Sequence, residues 1–281
     1  MPSIVSRAEL ERLLRDDAPH GDLTTETLAI GDRPGLMIFA ARDPMVAALT
    51  AEAAVILEIA GAEVELLVRD GQSLEAGADI LRAQGPADAL LRGWKVAQTL
   101  IEIWAGVATA ARAIVDAART DAPDICVACT RKNIPGAKLF AVAAVKAGGA
   151  TMHRLGLSET ILVFPEHRAF LPDESLTNLA ARLRRAAPEK KLVIEVKTVA
   201  EGFAAAEAGF DVIQAEKFSP SAIGELVAAT RGLAHRPVIA AAGGVKAANA
   251  RDYALAGAEL LVTSAPYYAP PCDVSVRIVA K

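Results

Sequence analysis

From about residue 120 onward, short apolar runs alternate with helix-length stretches, and this rhythm constrains the fold more than any other feature of the chain. The strand-like runs fall at 125–129, 161–164, 192–196, 212–215, 238–241 and 260–263. Between them the spacing predicts helices over 136–147, 174–187, 199–209, 219–231 and 246–257. The punctuation agrees. Gly148-Gly149, Gly209 and Gly257 follow three of these helices, where a residue tolerant of positive φ ends the last turn. Thr198 and Ser219-Pro220 stand at helix starts, where a hydroxyl caps free amides and proline fits the first turn. Strands joined through helices run parallel, since only a helix-length crossover returns the chain to the same edge. Six visible strands suggest an α/β barrel, incomplete at that number; an open doubly wound sheet is the rival. No G-x-G-x-x-G follows a first strand, which weighs against the dinucleotide-binding form of that rival.

The first 120 residues read differently. A helix over 7–15 leads to the turn Pro19-His-Gly-Asp22, and strands follow at 36–41, 63–68 and 77–82 with a helix over 47–60. Asp70-Gly71 marks a turn into a strand. A long amphipathic helix covers 87–105, and Gly106 starts a second through residue 119. The expectation is an α/β fold: a small, sandwich-like N-terminal α/β domain over 1–110 and an incomplete α/β barrel over 111–265. A tail, 266–281, carries a strand that returns to the first domain. A chain of 281 residues, 53% hydrophobic and 4% aromatic, can bury a sizeable core of closely packed helices on a parallel sheet.

Several partners are disfavoured. A net charge of −4 gives no global field to attract nucleic acid or an anionic membrane. No run approaches the roughly 18 apolar residues of a membrane span, and Met-Pro-Ser-Ile-Val-Ser-Arg lacks an apolar signal core. Cys126 and Cys129 form a C-x-x-C string, yet they lie in an apolar strand where residues three apart face opposite sides. They read as small core residues, and an odd cysteine count without a disulfide framework fits a reducing compartment. A cytoplasmic protein with no nucleic-acid or membrane partner is expected.

The chemistry gathers where strands give way to loops. Arg131 and Lys132 end the run 125–129, Lys138 follows, and His153-Arg154 come after the next helix. Ligands of parallel α/β folds bind beyond the carboxyl ends of strands. Arginine offers a bidentate fork to a carboxylate or phosphate, and lysine a point charge. A small anionic ligand is the natural partner of this cluster. Glu195 and Lys197 are two apart on one strand and so share a face, opposite Ile194 and Val196. A charged pair on a buried strand needs a partner or a ligand, so Lys197 is expected to meet Glu216 across the mouth; a purely structural ion pair is the alternative. Gly243-Gly244 joins a late strand to a helix, where free amides suit a phosphate.

An ordered set of strings spans nearly the whole chain: Gly21-Asp-Leu-Thr-Thr25, Asp70-Gly71, Gly77, Gly106-Val-Ala-Thr109, Thr130-Arg-Lys132 and Pro135-Gly136. It continues with Lys146-Ala-Gly-Gly149, His153-Arg154-x-Gly-Leu157, Phe218-Ser-Pro220 and Gly243-Gly244. In these the chain resembles the quinolinate phosphoribosyltransferase family (nicotinate-nucleotide pyrophosphorylase, carboxylating). The resemblance implies a homodimer whose sites are capped by the partner's N-terminal domain. It also implies transfer from phosphoribosyl pyrophosphate, with Mg²⁺, to a pyridine dicarboxylate that loses CO₂. Arg131, His153 and Arg154 match the family's acid binders, and Lys132 its lysine near the donor. Other positions depart. Trp94-Lys95 replaces Glu-Arg, Phe164 replaces a substrate-contacting lysine, and Lys197 replaces the second glutamate of Glu-Val-Glu. Glu216 stands for aspartate, Ala240-Ala-Ala-Gly-Gly244 for Glu-Ala-Ser-Gly-Gly, and Ser264 for glycine. Site changes on a persistent scaffold resemble the ModD branch, pyrophosphorylases associated with molybdenum-transport operons.

These features together point to a pentosyl or phosphoribosyl transferase that is a poor quinolinate enzyme. Arg131, His153, Arg154, Lys95 and Phe164 would meet the acceptor. Lys132 and Lys197 would hold donor phosphates with Gly243, Gly244 and Ser264, and Glu216 would face the sugar or its metal. No tightly bound cofactor and no protein-held metal are expected, Mg²⁺ arriving with the donor. The rivals are the ordinary quinolinate activity and a non-catalytic anion binder linked to molybdate uptake. A Schiff-base reaction at Lys197 stays formally open.

Overall fold

The computed structural model describes residues 4–281, and the chain divides into two compact units drawn from separated stretches. One takes the described residues up to Arg112 with Asn133–Gly149 and Pro266–Lys281; the other takes Ala113–Lys132 and Ala150–Ala265.

The first unit is built on a four-stranded antiparallel sheet, in the order Val274–Ala280, Pro34–Ala41, Asp79–Pro86, Glu63–Leu66. Pro34–Ala41 alternates as a half-buried strand must, sinking Met37, Phe39 and Ala41. The tail strand pairs with it from Gly35↔Ala280 to Ala41↔Val274, so the end of the chain covers an edge of its first strand.

Two expectations about helices are corrected here. The helix expected over 47–60 runs Thr50–Ala60, because Leu49 takes a left-handed φ of 55° and Met45–Val46 pairs with Ser73–Leu74. Its cap is non-local: the Asp70 carboxylate accepts from the N–H of Leu49 (3.0 Å) and Thr50 (3.0 Å) and from the Thr50 hydroxyl (2.7 Å). Nor does Gly106 start a new helix. Ala87–Arg119 is one helix of 33 residues. The glycine serves packing, since a Cβ there would overlap the carbonyl oxygen of Pro270.

In the second unit seven strands form one sheet, in the order Thr151–Met152, Cys126–Cys129, Leu260–Thr263, Val238–Ala242, Val212–Glu216, Leu192–Val196, Ile161–Val163. All its pairings are parallel. Among the described residues the outer strands do not pair with each other, so this curled sheet is a half-barrel. Leu192–Val196 and its neighbours are apolar almost throughout because helices cover their outer face. Thr198 and Ser219 cap as expected, their hydroxyls accepting from Glu201 N–H (3.1 Å) and Ala222 N–H (3.2 Å). Gly209 and Gly257 take φ of 89° and 93° just past their helices. No helix among the described residues is long and apolar enough to cross a membrane.

Candidate functional site

The carboxyl ends of the barrel strands open into a cavity of about 650 Å³, lined entirely by the second unit. Its cationic wall comes from two adjacent strands. Thr130 extends Cys126–Cys129 by donating its N–H to the Thr263 carbonyl (2.8 Å), and Lys132 N–H donates to the Thr130 hydroxyl (3.2 Å). This turn presents Arg131 and Lys132. Likewise His153 N–H donates to the Cys129 carbonyl (2.9 Å), which sets His153 and Arg154 beside them. Arg154 is buried, with its guanidinium carbon 5.9 Å from the Phe164 ring centroid. Phe164 in turn stacks on His167 at 5.8 Å and 20°, and His167 Nδ1 accepts the Phe164 N–H (2.9 Å).

The electrostatics show what this wall lacks. Burial, and then the charge of Arg154, hold the His153 imidazole below its ordinary range. Burial and Arg131 likewise lower Arg154. Among the described residues none of Arg131, Lys132 and Arg154 forms an ion pair. Like charges gathered without a counter-charge are relieved by an anion.

The opposite wall is acidic. Glu195 is pushed above the usual carboxylate range, chiefly by burial and also by repulsion from Glu216 and Glu166. A hydrogen bond from Gln214 Nε2 to Glu195 Oε2 (2.8 Å) and the charge of Lys197 act in the other direction. Gly243 and Gly244, at φ of 81° and 85°, turn the chain out of Val238–Ala242. A Cβ on Gly243 would lie 2.6 Å from Glu216 Oε1 and 2.7 Å from Lys217 Cγ, so glycine is what lets these two side chains into the mouth. Lys217 itself holds a left-handed φ of 58°, with its N–H donating to the Ala242 carbonyl (2.7 Å).

Arg131, Lys132, His153, Arg154, Phe164, Glu216, Gly243, Gly244 and Ser264 all line this one cavity. Lys197 and Lys95 do not. Lys197 lies one residue past the end of Leu192–Val196, where strand alternation no longer directs it inward; it is exposed, with its N–H donated to Glu201 Oε2 (2.9 Å). The expected Lys197–Glu216 ion pair is absent among the described residues. Lys95 is exposed on the long helix of the first unit, its Nζ 4.2 Å from the Trp94 ring centroid and 3.1 Å from Gln98 Oε1. Glu195, expected from sequence to need a partner or a ligand, lines the cavity, as do Lys217 and Gln214, which had been assigned no role from sequence. Period-two counting back from Glu216 puts Gln214 on the same face, and that signal was available. The cysteines are free, and burial pushes Cys129 up to about 12, as suits a core thiol. No cluster of three metal-ligating side chains occurs among the described residues.

A parallel half-barrel whose strand ends set cations against carboxylates defines an α/β-barrel enzyme class built around small charged substrates. Within that class the chain belongs to the quinolinate phosphoribosyl transferase family, whose N-terminal domain matches residues 22–105 and C-terminal domain residues 107–277. It is therefore an enzyme of the phosphoribosyltransferase type. It is 47% identical over 247 residues to a Rhodobacter capsulatus protein named "Putative pyrophosphorylase ModD", covering 88% of this chain and 95% of that one. A protein of the same name from Escherichia coli O157:H7 is 39% identical over 275 residues, covering 98% and 97%. The crystal structure of NadC from Streptococcus pyogenes superposes with a TM-score of 0.88 at 25% identity, covering 98% of this chain and 96% of that one.

Proposed function

We propose that the protein transfers a pentosyl group, in the form of phosphoribosyl, from a phosphorylated donor to a small anionic nitrogenous acceptor. On this reading it acts as a ModD-type enzyme and not as an efficient quinolinate enzyme. The observation that carries the proposal is the two-sided cavity, with unpaired cations on one wall and carboxylates on the other. Arg131 and Arg154 hold the acceptor's carboxylate, and His153 adds a hydrogen bond. Lys132, Lys217 and the amides after Gly243 and Gly244, with Ser264, hold the donor's phosphates; Lys217 takes the part that sequence gave to Lys197. Glu195 and Glu216 face the sugar carbon, which gains positive charge as its bond to the leaving phosphate lengthens. The acceptor nitrogen attacks with its own lone pair, so catalysis is positioning plus charge stabilisation.

Two carboxylates in the mouth fit a Mg²⁺ that arrives on donor phosphates, because that ion is commonly held by one or two carboxylates and phosphate oxygens. Bound there it would neutralise charge on the leaving group. The working unit is proposed to be a homodimer in which Lys95 serves the partner's site; sedimentation that finds only monomer at assay concentration would rule this out. The proposed compartment is the cytoplasm.

The test is pyrophosphate release from phosphoribosyl pyrophosphate with Mg²⁺ and a panel of heteroaromatic acids. Arg131→Ala is expected to stay folded and lose about 1.5–3 kcal/mol of acid binding, the worth of a charged hydrogen bond. Binding of acids with no release for any of them would make the protein an anion binder and overturn the proposal.

A further inference from the structure

Gln214 sits midway along Val212–Glu216 and is 5% exposed. Its in-register neighbours on the flanking strands are Glu195 and Ala240. Its Nε2 donates to Glu195 Oε2 at 2.8 Å. With Nε2 turned to Glu195, Oε1 is the end of the amide left without that partner. That Oε1 is buried and has no hydrogen-bond partner among the described residues. Its register partner Ala240, part of an apolar cluster with Ala242 and Val262, has no side-chain donor to offer. Yet Gln214 is part of the cavity lining. A buried acceptor without a donor destabilises a fold, and native proteins keep one where a ligand or water supplies what is missing.

We infer that Gln214 is a specificity-determining residue of the transfer reaction, its Oε1 accepting a hydrogen bond from an N–H or O–H group of the bound substrate at the cavity floor. Glu195 is then a positioning residue for the amide. The inference rests on the cavity being a transferase site, and it narrows the substrate class. The molecule anchored by Arg131 and Arg154 carries, away from its anionic group, an amino, amide or hydroxyl donor, or else the donor sugar presents a hydroxyl there. A substrate with only carboxylates and ring C–H groups leaves Oε1 unpaired, which is how a polar site rejects an analogue lacking its partner group.

The experiment is titration calorimetry with matched pairs of probes on the full chain. One set is pyridine-2-carboxylate against its amino- and hydroxy-substituted forms at each ring position. The other is ribose 5-phosphate against 2-deoxyribose 5-phosphate. Unmodified protein should prefer a donor-bearing member over its parent by about tenfold, the scale of one hydrogen bond. Gln214→Met should erase that ratio and leave the parent's affinity within about twofold. Ala240→Ser keeps Gln214 and offers it a hydroxyl from the register partner; it should erase the same ratio and raise the melting temperature, which covers the case of a misfolded methionine variant. A ratio lost in the pyridine set assigns the group to the acceptor, one lost in the sugar set assigns it to the donor, and either supports the inference. Ratios unchanged in both variants overturn it, water then being the partner of Oε1. If Arg131→Ala weakens binding while Gln214→Met alters no ratio, this inference alone falls. If unmodified protein binds no probe, the transferase reading falls with it.

Discussion

Burial and the neighbouring Arg154 hold the His153 imidazole below its ordinary range, and an anion bound beside it would shift it back upward. Binding should therefore take up a proton. Affinity for an anionic acid is expected to rise as pH falls from neutrality toward the depressed value of the free protein. Stability should move the other way. The folded pKa is depressed, so below about pH 6.5 the unfolded chain binds the proton first; the contribution is full above that pH and is lost as pH falls toward the folded value. Calorimetry in buffers of different ionisation enthalpy counts the proton, and His153→Gln should abolish the uptake. An unchanged count in that variant would assign the proton to another group. Arg131 and Arg154 were legible as residues of the cavity mouth because charge at the end of an apolar strand has few other uses. Lys217 was harder to see: its left-handed backbone, which sends the side chain into the mouth beside Gly243, leaves no mark in the order of residues.

Elements with local causes were readable; those with distant causes were not. The helices after Thr198 and Ser219 follow from a cap and a period, both contained in their own segments. The start of Thr50–Ala60 depends on Asp70, and the glycine within Ala87–Arg119 answers to the tail backbone at Pro270 that packs on it. A glycine inside an amphipathic stretch reads as a break when its packing partner is out of view. Thr151–Met152 is too short to show as an apolar run at all. Gly106 allows a direct test in which two effects oppose each other. Alanine is the better helix former by about 1 kcal/mol, but its Cβ would overlap the backbone carbonyl of Pro270, and such overpacking costs about 1–3 kcal/mol. Backbone cannot swing aside as a side-chain tip can, so Gly106→Ala is expected to be net destabilising. Its denaturation midpoint should fall with an unchanged slope; a midpoint at or above that of the parent would mean that the tail moves freely.

At the scale of the whole molecule the scaffold and the site carry different messages. The family's two domains match residues 22–105 and 107–277, with the half-barrel and the tail strand in place, while Phe164, Glu216 and Ser264 line the mouth. Phe164 lines the cavity with an aromatic ring, its centroid 5.9 Å from the Arg154 guanidinium carbon, and has no cation of its own to offer a second carboxylate. Lys95 cannot offer the bidentate fork of an arginine. Lys197, exposed and outside the cavity lining, brings no charge of its own to the mouth. Each lost charge-assisted contact is worth about 2 kcal/mol, or roughly thirtyfold in rate. Contacts within one site do not add, so the combined loss is smaller than the product of two. Nicotinate mononucleotide formation from quinolinate, phosphoribosyl pyrophosphate and Mg²⁺ is accordingly expected to run at least about a hundredfold below that of a carboxylating family member. Phe164→Lys restores a cation where the second carboxylate would lie and should recover part of the deficit, seen first as a lower KM. Family-like turnover by the unmodified protein would show that these substitutions leave the ancestral reaction intact. Turnover low in both proteins, with KM unmoved by Phe164→Lys, would place the block elsewhere in the cavity, with Gln214 the next position to vary.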